Sequence, residues 1–149
     1  MELESVAIEA LASLGAPSSR KRTSTTARDI SRVEAVLDRM HAEYRQRLMA
    51  GELAESAGLS PFEFSRRFRH LVGVPPHHYI IRLRLLEATR RLEDGDSVTR
   101  TAFESGFESL SHFTRSFRRW FDIMPSAWGR LKAAERDRKK VQARFRFAH

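Results

Sequence analysis

Residues 53 to 68, LAESAGLSPFEFSRRF, return at 101 to 117 as TAFESGFESLSHFTRSF, with one residue inserted between the glycine and serine landmarks. Ala54 answers Ala102, Gly58 answers Gly106, Ser60 answers Ser109, Phe64 answers Phe113, Arg66 answers Arg115, Phe68 answers Phe117 and Arg69 answers Arg118. Pro76 and Pro125 extend the match. A small residue, a turn glycine, a cap serine and two aromatics four apart with an arginine between them spell helix, tight turn, helix. A repeat of this kind is the first thing a fold must accommodate. The expectation is two copies of one DNA-reading unit.

The rest of the chain fits around that repeat. At 149 residues there is room for one domain with a real core, or for two small subdomains sharing one. The absence of cysteine excludes disulfides, thiolate zinc sites and a cysteine nucleophile. The opening MELESVAIEALASLG carries glutamates where a signal peptide carries lysines, and no apolar run approaches the ~20 residues that span a bilayer. A cytoplasmic protein with no membrane partner is expected. Six histidines, at 41, 70, 77, 78, 112 and 149, give no metal-ligand spacing, and no glycine loop could cradle a phosphate. Neither an enzyme nor a cofactor or metal is expected.

The net charge is +8, and its location says more than its size. Residues 1 to 28 hold four bases against three acids, 29 to 129 hold fifteen against fourteen, and 130 to 149 hold eight against two. The centre is nearly neutral, so any electrostatic footprint there comes from segregation. Between 61 and 72, Arg66, Arg67 and Arg69 face Glu63 alone; between 110 and 121, Arg115, Arg118 and Arg119 face no acid.

Residues 1 to 28 read as a short helix followed by a serine- and threonine-rich linker at 16 to 28. From Asp29, apolar Ile30, Val33, Leu37, Met40 and Tyr44 recur at helical spacing and mark an amphipathic helix. A first helix-turn-helix is expected at about 49 to 72. Its turn is at Gly58, and Ser60-Pro61-Phe62-Glu63 forms a capping box with proline at the first helical position. A long linker helix comes next at about 77 to 92, and EDGD at 93 to 96 stops it. The second unit occupies about 97 to 121, with Ser97 and Ser109 as caps, and a basic tail takes 131 to 149. Seven helices and no strand make the fold class all-α, with homeodomain-like subdomains. The pairs Phe64 with Phe68 and Phe113 with Phe117 are core by spacing, whereas helical phase leaves Phe62 open between buried and exposed.

These motifs resemble the AraC/XylS family of transcription regulators. LAESAGLSPFEFSRRF, then GVPPHHYIIRLRLLEATRRL at 73 to 92, then SGFESLSHFTRSFRRWFDIMPSAW at 105 to 128 follow that family's order and spacing, over roughly 29 to 130. The resemblance implies two helix-turn-helix units joined by a long helix, with double-stranded DNA as partner and RNA polymerase as a further one. The resemblance leans towards activation through RNA polymerase, and the sequence itself leaves activation and repression open. Many members carry a larger sensing or dimerising domain before this region, so the chain reads either as a single-domain member or as a truncated one. Met49 replaces a usual cap serine or threonine, Thr101 a usual core isoleucine and Asp122 a frequent turn glycine, while Gly129 lies where arginine is common.

In a helix-turn-helix the second helix enters the major groove with its first turns near the base edges. That selects Phe62, Ser65 and Arg66 in the first unit, and Leu110, Ser111, His112, Thr114 and Arg115 in the second, as base-contact candidates. Arginine reaches guanine O6 and N7 with two hydrogen bonds, so Arg66 and Arg115 lead. Phe62 and Leu110 suit thymine methyls. Ser60, Arg67, Arg69, Ser109, Arg118 and Arg119 are candidates for backbone contacts, with salt bridging to nearby acids as the alternative for the arginines. Successive major grooves on one DNA face lie about 34 Å apart, so a monomer could read both. Competing readings are a non-specific binder driven by the basic tail and a protein-interaction module that keeps the fold.

Overall fold

The computed structural model describes residues 26 to 146 in its backbone and 26 to 140 in its side chains. Seven helices and no strand are found among the described residues: α1 (Ala27–Glu43), α2 (Ala50–Ser56), α3 (Pro61–Val72), α4 (Pro76–Glu93), α5 (Val98–Glu104), α6 (Leu110–Phe121) and α7 (Pro125–Arg146). The all-α class holds. The helix expected before residue 16 lies outside the described residues, and the seventh helix is one that periodicity did not reveal. Residues 131 to 146, read as a basic tail, continue a helix that starts at Pro125.

The first helix begins at Ala27, inside the stretch read as linker, because Thr26 caps it. The Thr26 side chain accepts from the backbone N–H of Asp29, and the Asp29 carboxylate accepts from that of Thr26, a complete capping box. The buried face is Val33, Val36 and Met40, while Ile30, expected inside, is 42% exposed.

The chain divides into two compact units, the first ending at Leu83 and the second starting at Arg84, so the boundary falls within α4. In the first unit, Val33, Val36 and Met40 of α1 join Leu53, Ala54, Ala57, Phe64, Phe68 and Ile80 in one apolar core. The aromatic pair of α3 meets with ring centroids 5.6 Å apart, and Tyr79 packs its edge on Phe68 at 5.9 Å. The Tyr79 hydroxyl and the His41 ring nitrogen share a 2.9 Å hydrogen bond.

The second unit is more aromatic. Phe107, Phe113, Phe117, Phe121 and Trp128 form a chain of ring contacts with centroids 4.6 to 5.8 Å apart. Leu85, Ala88 and Leu92 of α4 are buried on this side of the boundary. Arg91 ties the end of α4 to the turn beyond it and to α5: its guanidinium meets Glu87 at 3.0 Å, Asp96 at 3.2 Å and Glu104 at 3.8 Å. The same end of α4 is held by α7, through Trp128 Nε1 donating to Glu93 at 3.3 Å and Arg136 donating to the Glu93 carbonyl at 2.8 Å.

Candidate nucleic-acid interface

The two repeats fold into the same turn. In the first, the Leu59 N–H bonds the Ala54 carbonyl at 3.0 Å and Gly58 takes φ 64°. In the second, the Phe107 N–H bonds the Ala102 carbonyl at 3.0 Å and Gly106 takes φ 97°. Both glycines sit in the left-handed region, where a side chain would be strained. The inserted residue is Glu108. It leaves the Ser109 cap at φ −145°, against −67° at Ser60, yet both serines cap the next helix.

Capping fixes how α3 and α6 begin. Ser60 Oγ accepts from the Glu63 N–H at 3.3 Å, and Ser109 Oγ accepts from the His112 N–H at 3.1 Å. The capping box expected at Ser60 is only half formed. The Glu63 carboxylate accepts from the Ser60 hydroxyl at 3.1 Å and lies 3.9 Å from Arg67. The ends match as well: Gly73 at φ 89° and Asp122 at φ 58° are left-handed caps whose N–H groups bond the Arg69 and Arg118 carbonyls at 2.9 Å.

Burial of Phe64 and Phe68, and of Phe113 and Phe117, turns the opposite face of each helix outward. On α3 that face carries Phe62, Ser65, Arg66 and Arg69, all exposed; Phe62 is 76% exposed, which settles its helical phase. On α6 it carries Ser111, Arg115, Arg118 and Arg119. Among the described residues Arg66, Arg69, Arg118 and Arg119 have no side-chain hydrogen bond or acidic partner. Arg115 only folds back, donating to the Ser111 carbonyl at 3.4 Å. Both faces are therefore basic and free of competing carboxylates.

Other candidates are placed differently. Arg67 pairs with Asp29 and Glu63, so it serves as a brace between α1 and α3. His112 is half-buried, its ring edge-on to Phe107 at 5.5 Å, and Thr114 is half-buried too. Leu110, 38% exposed, stands at the first helical position and answers Pro61, while the residue answering Phe62 is Ser111. No group of three histidine, aspartate or glutamate residues among those described could hold a metal ion. No described helix is long and apolar enough to cross a membrane.

Two helix-turn-helix units, each with a capped and outward-facing second helix, define the class of protein. The helix-turn-helix domain family matches residues 53–131, and the chain belongs to it as a member of the AraC/XylS regulators, a class of transcription regulators rather than enzymes. It is 35% identical over 96 residues to the transcriptional activator RhaS of Pectobacterium carotovorum subsp. carotovorum, covering 64% of this chain and 34% of that one. The chain thus spans about a third of the length of the curated relatives it matches. The DNA-binding domain of AdpA, a global transcriptional factor solved with a target DNA, superposes with a TM-score of 0.64 at 33% identity, over 72% of this chain and 96% of that domain. An AraC-type regulator from Chromobacterium violaceum superposes with a TM-score of 0.63 at 26% identity, over 72% and 97%.

Proposed function

We propose that this chain is a sequence-specific regulator of transcription that reads two successive major-groove segments of double-stranded DNA, one with α3 and one with α6. The observation that carries this reading is the equivalence of Arg66 and Arg115. Each stands six residues past its cap serine, on the exposed face of its helix, in copies of one fold. From there a guanidinium can take both acceptors of a guanine edge. Phe62, Ser65, Ser111 and Thr114, with Leu110 and His112 at the margin, would complete the base contacts. Ser60, Arg69, Ser109, Arg118 and Arg119 would hold phosphates, and Arg67 would act through its brace on α1.

The AdpA domain solved on its target DNA supports the DNA reading, and RhaS, named an activator, supports activation; RNA polymerase would be the partner through which the chain activates. The protein would act in the cytoplasm, with the monomer as the binding unit, because the repeat already supplies two reading helices.

Selection of bound duplexes from a random pool tests the proposal. The expected outcome is a consensus of two blocks one helical turn apart, with guanine at a fixed place in each. Arg66→Ala and Arg115→Ala should each cost about 1 to 3 kcal/mol and relax preference at one position of one block. Uniform weakening on all sequences, with the consensus unchanged, would reduce both arginines to phosphate contacts.

A further inference from the structure

The second half of α7 is not accounted for by the two reading helices. Its first half is anchored: Trp128 packs on Phe117 and Phe121, Gly129 comes close to the Leu92 carbonyl, and Arg136 donates to the carbonyl of Glu93. Past Arg136 the helix runs on to Arg146, ten residues or roughly 15 Å at the usual helical rise. Residues 137 to 140 are all exposed. They read Asp137, Arg138, Lys139, Lys140, and Arg144 and Arg146 come after them.

Charge on this segment is arranged for a polyanion. Consecutive helical residues step by about 100°, so Arg138, Lys139 and Lys140 point to all sides of the helix rather than to one. Lys139 is 3.1 Å from Glu135, whereas Arg138 and Lys140 have no acidic partner among the described residues. Lysine and arginine in a last turn also suit the helix dipole. That accounts for stability of the helix end, not for a charge run three turns long. The run belongs to the helix that follows α6 after the three residues Asp122, Ile123 and Met124. Between Arg115 and Lys140, nine bases stand against three acids.

We infer that the α7 extension is a phosphate-gripping arm, which binds the backbone of duplex DNA beside the block read by α6. The inference rests on the DNA-binding reading above. The arm adds affinity without sequence information, because phosphates are the same on every sequence.

The test uses the full chain and measures binding against salt, on a selected duplex and on a scrambled one. Replacing Arg138 and Lys140 by glutamine keeps good helix formers in place. Residues two apart face different sides of a helix, so one backbone meets one of the two, and the double variant should lower the slope of log K against log salt by about 0.9, the value for one phosphate no longer neutralised. The loss should be equal on both duplexes, with circular dichroism and thermal midpoint unchanged. Asp137→Lys provides the opposite arm of the experiment and should steepen the slope on both. Unchanged slopes in both variants would overturn the arm while leaving the reading helices intact. Loss of binding on the selected duplex alone would overturn it too, by making these residues base readers. If the unaltered chain prefers no sequence at all, the two-block reading fails, and the slopes still decide whether α7 grips phosphate.

Discussion

Thr101 and Ser105 each bury a hydroxyl that finds no hydrogen-bond partner among the described residues. They answer Leu53 and Ala57 of the first unit, which fill the same places with apolar groups. An unsatisfied buried hydroxyl costs on the order of 1 to 3 kcal/mol, and replacing it by a group of the same shape removes that cost. Thr101→Val, which exchanges the hydroxyl for a methyl, should raise stability by about that amount, seen as a higher urea midpoint at constant slope. Its DNA preference should be unchanged, because the residue is wholly buried under α6. A lower midpoint would mean that the hydroxyl has a partner, for instance a trapped water. Asp122 is the opposite case: an L-residue with φ 58° in the place that Gly73 fills in the first unit, closing α6 where glycine closes α3.

At the scale of elements, α1 is set by Thr26 and Asp29. The Asp29 carboxyl is held below its ordinary pKa first by hydrogen bonding from Thr26 and then by the Arg67 guanidinium, against an opposing effect of burial. A carboxyl depressed on folding stabilises the fold above its unfolded pKa, about 3.9, and that contribution is lost as pH falls through the lower folded value. Asp29→Asn should therefore be less stable than the parent at pH 7, and the gap should shrink below about pH 4 and close in stronger acid. Paired chemical unfolding across that range checks it. A gap that does not depend on pH would mean that packing, not charge, is what Asp29 supplies.

This cap was hard to read from sequence, because the serines and threonines at 23 to 26 offer several equivalent starts. Units with one strong signal per boundary read well: Ser60, Gly73, Ser97 and Ser109 each mark an end that the structure keeps. Met49, with no side-chain bond to offer, caps α2 by backbone alone, in the place where Ser97 caps α5. The end of α7 could not be read by the same means. Beyond Trp128 its residues are charged on every side, so no apolar stripe betrays a helix, and a run of lysine and arginine reads as a tail. Within the candidate site, the aromatic pairs fixed the faces of α3 and α6, but not the brace at Arg67, whose partner Asp29 lies 38 residues away. Nor did spacing show that His112 leans on Phe107.

At the scale of the whole molecule, the chain divides into two compact units, and Arg66 stands in the first and Arg115 in the second. They share no partner among the described residues. Effects at distant, independent sites add to within about 0.5 kcal/mol, whereas sites in one network do not. The double variant Arg66→Ala with Arg115→Ala should therefore weaken binding by the sum of the two single losses, about 2 to 6 kcal/mol. The duplex carries the same logic. On DNA in which the block that α3 reads is scrambled, Arg66→Ala should cost almost nothing further, while Arg115→Ala should keep its full effect. Anisotropy titrations of four proteins against three duplexes measure every term. Strong non-additivity would mean that one unit binds only when the other is seated, so that the repeat acts as one reader rather than two. Additive losses would make each helix-turn-helix an independent reader of its own groove, and the duplicated arginine the reason that one chain suffices for both.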